Sequence, residues 1–316
     1  MTKALLQAMA LLALQALALL ALQARAQRQP QSPRLEAFPR EEPVTMPGYC
    51  PTRGEKARDW QAGELEGCTM LDLYRQGLTA ELMSELSVAL AMHGESVTRL
   101  ELARQMLVDP EAEGGAEDTA GAQATYEMLD ANRQITVVRL GENRFGPAQA
   151  AVLSPAAGGG SGLTALLLDK NTIGPEGAAS LAVALVEPES SLTELDLNSN
   201  GLGDGGAEAL GRAVGKNPQL SILNLDSNAI TPTGASALGQ ALRSNSHLTR
   251  LSLRQNPLSD EGASAVAQAL AAAGAAGGLL SLDLFMSGAA DGAAERFAEL
   301  LEAGGAARNL APPSTS

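Results

Sequence analysis

Leu192-Thr193-Glu194-Leu195-Asp196-Leu197-Asn198-Ser199-Asn200 returns after 28 residues as Leu220-Ser221-Ile222-Leu223-Asn224-Leu225-Asp226-Ser227-Asn228. A further 28 residues on, it recurs as Leu248-Thr249-Arg250-Leu251-Ser252-Leu253-Arg254-Gln255-Asn256. A fixed period of this size marks a chain of stacked units, each covering the apolar face of the next. The same frame opens at Leu163, Ile135, Val97 and Cys68 on one side and at Leu279 on the other, which makes eight units. Two spacings are longer: Asp109 to Gly121 inserts a segment rich in Glu, Gly and Ala, and Ala271 to Gly278 adds small residues.

Within a unit, the fourth and sixth positions turn two leucines inward from a short strand, while the third, fifth and seventh face out. The ninth-position Asn ends the strand, where its buried amide bonds the backbone of its own and the adjacent turn. Asn143, Asn171, Asn200, Asn228 and Asn256 fill this place; Gln76, Gln105 and Ser287 fill it imperfectly, so weaker ladders are expected at both ends. Asn200→Ala or Asn228→Ala is expected to cost roughly 1–3 kcal/mol. Asn217 and Asn245, in the linkers, are expected to matter much less. The second half of a unit reads as a helix, with Gly177-Ala178, Leu181, Ala184 and Leu185 on one face and the same set repeated from Gly206, Gly234 and Gly262. Pro155 and Gly158 to Gly160 cut the third helix to about two turns.

This pattern resembles the ribonuclease-inhibitor type of leucine-rich repeat, with its full helix per unit, over about Cys68 to Leu301. The resemblance implies an α/β solenoid, a horseshoe with parallel strands on the concave face and helices on the convex face. It implies a role in binding proteins rather than in catalysis. Similar repeats occur in ribonuclease inhibitors, in sensors of the NOD-like type and in Ran-type GTPase activators, so a cytosolic enzyme regulator is the alternative.

The flanks carry other information. Residues 1–26 have the form of an export signal: Lys3 at the start, an uncharged stretch, and Ala24-Arg25-Ala26 as a cleavage site. A retained membrane anchor and an organelle transit peptide are the alternatives. Residues 27–48, rich in Pro, Gln, Glu and Arg, read as a disordered leader. Residues 49–67 read as an N-terminal cap with Trp60 in its core, 68–303 as the repeats, and 304–316 as a flexible tail. Cys50 and Cys68, the only cysteines, suit a disulfide in an exported protein, against the alternative of Cys68 as a small buried apolar residue. Closing that loop contributes on the order of 3 kcal/mol.

The net charge of −14 argues against nucleic acid and favours a basic protein or peptide partner. No small-molecule substrate, cofactor or metal is expected, and the membrane enters only if the N-terminal segment stays as an anchor. His93 and His247 lie in distant units, and no phosphate loop or paired-cysteine zinc motif occurs. Gly203-Asp204-Gly205-Gly206 sits where every unit turns into its helix. The acidic insert lacks the ligand spacing of a calcium loop. The outward columns instead gather Asp169, Glu194, Asp196 and Asp226 around Asn198 and Asn224, with Leu167 and Ile222 as apolar spots. Arg250 and Arg254 form one border, and Tyr74 and Phe285 are aromatic anchors at the two ends.

Overall fold

The structure, a computed structural model, describes residues 49–51, 65, 67–105, 107–108, 118–274, 277–285 and 287–288. Residues 1–48, which hold the expected export signal and leader, lie outside them, as do Trp60, most of the expected cap, most of the acidic insert, the end of the last unit and residues 304–316. Among the described residues, nine three-residue strands form one parallel sheet in chain order: β1 Tyr49–Pro51, β2 Met70–Asp72, β3 Arg99–Glu101, β4 Val137–Arg139, β5 Ala165–Leu167, β6 Glu194–Asp196, β7 Ile222–Asn224, β8 Arg250–Ser252 and β9 Ser281–Asp283. The sheet is open, with β1 and β9 at its ends. Helices follow the strands: α1 Ala80–His93, α2 Ala120–Ala131, α3 Pro147–Pro155, α4 Gly174–Leu185, α5 Gly203–Val214, α6 Pro232–Leu242 and α7 Ser259–Ala273. The insert therefore ends earlier than the sequence suggests, because Ala120 and Gly121 already belong to α2.

The core is thin and aliphatic. Fourth- and sixth-position residues such as Leu195, Leu197, Leu223 and Leu225 are buried, and across from them lie Ala178, Leu181, Ala207 and Leu210 of the helices. Small residues set the spacing: a Cβ on Gly177 would come within 2.6 Å of Ile173 and 3.0 Å of Ala150, and one on Gly206 within 2.8 Å of Leu202. In the third unit, α3 ends at Pro155 and passes into one widened turn, Ala156–Gly160.

The asparagine ladder forms as expected. The Oδ1 atom of Asn228 accepts from the Asn200 amide at 2.9 Å and the Leu202 amide at 3.3 Å, and its Nδ2 donates to the carbonyls of Leu197 and Asp226. Asn256 repeats the motif toward Asn228 and Ile230, and Asn171 toward Asn143 and Phe145. Gln105 extends it: its longer arm still donates to the Leu73 carbonyl while its Oε1 accepts from the Leu78 amide at 3.2 Å. The outermost units are weaker. The Gln76 side chain donates to the nearby Tyr74 carbonyl, and among the described residues the buried Ser287 hydroxyl has no hydrogen-bond partner.

A second asparagine ladder corrects the expectation for the linkers. Asn217 and Asn245 are 1% and 5% exposed, as buried as the turn asparagines. The Oδ1 of Asn217 accepts from the amides of Gln219 and Leu220, and its Nδ2 donates to the Leu185 carbonyl at the end of the previous helix. Asn245 does the same with His247, Leu248 and Val214, and Asn132 reaches back to Ser87. Asn217 and Asn245 thus tie a helix C-terminus, whose last carbonyls have no partner in their own helix, to the next strand. A third row runs along the strand starts, where the hydroxyls of Thr98, Thr136, Thr164, Thr193, Ser221 and Thr249 each donate to the carbonyl of the equivalent residue one unit back.

At the N-terminal end, Cys50 and Cys68 form a disulfide with Cα atoms 5.7 Å apart. It joins β1 to the approach to β2, with Leu65 buried beside it. Among the described residues, no helix is long and apolar enough to cross a membrane.

Candidate binding surface

The strand register places the outward columns as the repeat frame requires. Glu194 pairs with Ile222 and Ile222 with Arg250, while Asp196 pairs with Asn224 and Asn224 with Ser252. With strands about 4.8 Å apart, these residues form a continuous surface.

Asp196, Asn198, Asn224 and Asp226 are brought together. One oxygen of Asp196 accepts from the Asn198 amide at 2.8 Å, and the other from the Asn224 side chain at 3.1 Å. Asn224 in turn accepts from the Asp226 amide at 3.1 Å. The Oδ1 of Asp226 accepts from the Arg254 amide at 2.8 Å and from the Ser252 hydroxyl. Burial pushes the Asp196 carboxyl above its ordinary range, the charges of Asp169 and Asp226 add to this, and the bonds from Asn198 and Asn224 offset part of it. Burial also raises Asp226, against the Ser252 and Arg254 bonds, with Asp283 adding a smaller push.

Asp169, although its charge reaches Asp196, makes its close contacts on the other side. It is 6% exposed and reaches toward the third unit, where its Oδ1 lies 2.6 Å from the place a Cβ on Gly141 would take. Arg139 holds it at 3.5 Å and Glu101 at 3.8 Å. Glu142 accepts ion pairs from Arg104 and Lys170. Glu194, half-buried, has no cation within 4 Å among the described residues, and the same holds for Asp196 and Asp226. Arg250 and Arg254 are exposed at the border, and Arg254 lies 3.7 Å from Asp283.

The two aromatic ends are each covered by an arginine. Arg104 lies 5.7 Å from the Tyr74 ring centre, and Arg254 lies 4.9 Å from that of the half-buried Phe285. The sequence reading missed Arg139, Glu101 and Ser252 as working members of this surface. The signal was available: Arg139 and Asp169, like Ser252 and Asp226, belong to neighbouring units and sit one outward step apart.

Elsewhere, Asp204 serves structure. Burial opposes its charge, but hydrogen bonds from the Thr231 hydroxyl and the amides of Thr231 and Gly234 outweigh this and hold its carboxyl below its usual range. It thereby caps α6 of the next unit. His247 lends its amide to Asn245, and among the described residues no group of three or more His, Cys, Asp or Glu is placed to hold a metal ion.

These features define a solenoid of parallel strands backed by helices, with an outward strand surface of mixed charge. Residues 163–182, 190–211, 216–239 and 244–267 match the Leucine Rich repeat family model, one match for each of four consecutive units. The chain carries a leucine-rich repeat solenoid, and the same register runs on to both sides of the matched units. Among solved structures, it is similar to leiomodin-1 actin-binding site 2, with 21% identity and a TM-score of 0.40 over 50% of this chain and 88% of that one. It is also similar to a chain in the yeast Rad7 and Elc1 complex, with 17% identity and a TM-score of 0.41 over 73% of this chain and 61% of that one. At this level of likeness, what those proteins bind stays with them.

The raised carboxyls make a testable statement about stability. The Oδ1 of Asp226 accepts both its hydrogen bonds, so Asp226→Asn keeps them and removes only the charge. A group whose folded pKa lies above its unfolded value contributes stability below the unfolded pKa and loses it as pH rises through the folded one. Asp226→Asn is therefore expected to stabilise the fold by about 0.5 kcal/mol at neutral pH, a figure kept small because the site is half open to solvent. The gain should vanish on acidification below the ordinary carboxylate range. Melting curves at pH 7 and pH 3 check it, and an equal gain at both would show that charge is not the cause.

Proposed function

We propose that this protein is a non-catalytic scaffold that binds a basic protein or peptide through the strand face of units four to seven. The observation that carries this reading is the set of three carboxylates at Glu194, Asp196 and Asp226, which has no cation within 4 Å among the described residues while carboxylates in the units on either side do. A partner with lysine or arginine side chains supplies the missing charge, and Leu167 and Ile222 add apolar contact. Attraction of this kind speeds association and weakens with salt. The ribonuclease-inhibitor-like subclass, with a full helix per unit, fits such a role.

We further propose that the protein is exported. The signal-like form of residues 1–26 and the Cys50–Cys68 disulfide both support an oxidising destination. Sequencing the N-terminus of the native protein tests this: a start near Gln27 supports export, and an intact Met1 on cytosolic material favours the regulator instead.

The binding reading is tested on a partner captured by pull-down. Asp196→Lys with Asp226→Lys is expected to weaken that partner about 100-fold, because opposed like charges replace matched ones. Glu176→Lys with Glu261→Lys, on the helix layer, should leave affinity within about twofold. Equal losses in both pairs would remove the strand face from the interface.

A further inference from the structure

On the other side of the solenoid, a groove of about 880 Å3 runs between α5 and α6. One wall carries Asp204, Glu208, Arg212 and Lys216; the other carries Thr233, Ser236 and Gln240. Between them the lining residues are small, among them Gly205, Gly215 and Ala237. Residues four apart share one face of a helix at steps of about 6 Å, so Asp204, Glu208 and Arg212 form a single line, and Lys216, in the turn that follows α5, adds a second base beyond its end. The helix dipole favours that order. It does not explain why, of the four consecutive helices α4 to α7, only α5 has an acid in its first turn and a base in its last.

We propose that this groove seats α5 of a second copy of the chain, antiparallel, across a two-fold axis passing between Glu208 and Arg212. That arrangement sets Asp204 against Lys216 of the second copy and Glu208 against Arg212 of the second copy, and each contact occurs twice. A parallel approach sets like charges together at all four positions. Glu208 and Arg212 are already paired within their own helix, yet 60% and 65% of each side chain is exposed. The two-fold joins two such pairs into a ring of four alternating charges. The small residues between the walls let the second helix settle close, since the distance between helix axes is set by the side chains at the contact. The interface is self-complementary and closed, so association stops at the dimer.

The patch is about 18 Å long, the length of α5, which places it among the smaller specific interfaces and makes the dimer reversible at micromolar concentrations. The net charge of −14 opposes association at long range and physiological salt screens it. This proposal is independent of the strand-face reading, since it uses none of the same residues.

Sedimentation equilibrium of the full chain, from about 5 to about 500 µM at physiological salt, tests it. A reversible monomer–dimer equilibrium is expected. Glu208→Arg alone and Arg212→Glu alone should each weaken it at least about tenfold, because each puts like charges together twice. The double variant E208R/R212E should restore it, because the exchanged pattern is again self-complementary. Ala237→Trp should abolish it by filling the groove. Melting curves of the four variants show that each is folded. A monomer throughout the range, a dimer indifferent to the single changes, or a double variant no better than the singles overturns the proposal.

Discussion

Asn228→Ala is expected to lower stability by about 3–5 kcal/mol, above the range anticipated from the repeat pattern. The reason is the number of groups one side chain serves. Its Oδ1 takes the amides of both Asn200 and Leu202, and its Nδ2 serves the carbonyls of Leu197 and Asp226, all in turns closed to bulk water. Each buried group left without a partner costs about 1–3 kcal/mol, and here two amides lose their acceptor together. Asn217→Ala should fall close behind, at about 2–4 kcal/mol, since it strands the amides of Gln219 and Leu220 and the Leu185 carbonyl. Asn198→Ala supplies the comparison: the side-chain oxygen of this half-buried residue of the strand face accepts from the neighbouring Ser199 hydroxyl, and its loss should cost under about 0.5 kcal/mol. Urea unfolding of the three variants decides the matter. If Asn217→Ala matches Asn198→Ala, the second ladder contributes nothing to stability.

The contrast between Asn228 and Asn217 shows what a repeat lets a sequence say. Asn228 recurs in five units at the same place, so its role is legible from periodicity alone. The second ladder also has a signal, an asparagine three residues before the opening apolar residue at Asn132, Asn217 and Asn245, but the remaining units lack it. Gly94 stands at the same distance from Val97 and closes its turn with a backbone bond to Leu90 instead. A motif shared by so few units looks like linker composition until the carbonyls it serves are seen. Strand register was legible for a stronger reason: a slip by one residue would bury Asp196 and expose Leu195. The surface was legible as columns but not as contacts. Asp169 was grouped with Asp196 by position, whereas Gly141 leaves the space into which it turns toward Arg139. The helix-side groove was not legible at all, because it depends on how far apart two helices sit once their small residues meet.

Gly159 is the position where a single methyl group is expected to do most damage. It lies in the widened turn after α3 with φ at +101°, a conformation that side chains rarely adopt. A Cβ there would stand 2.1 Å from the carbonyl oxygen of Glu189 and 2.5 Å from its carbon, both backbone atoms of the next unit. Neither can swing aside as a flexible side chain does. Moving them disturbs Ser190, whose hydroxyl holds the Ala157 carbonyl at 2.8 Å across the same junction. The strained backbone costs about 1–3 kcal/mol and the overlap a similar amount, so Gly159→Ala should lose about 3–5 kcal/mol. Gly201→Ala separates the two causes. Gly201 also has a positive φ, +66°, but nothing lies within 4 Å of its Cβ position, so only the backbone cost of about 1–2 kcal/mol remains. Because units contact only their neighbours, the Gly159 change should act as a break between the third and fourth units. Hydrogen exchange should then show the units on the N-terminal side opening separately from those that follow. Uniform acceleration along the whole chain would mean that this junction is not a local seam, and equal losses at Gly159 and Gly201 would mean that the approach of Glu189 carries no cost.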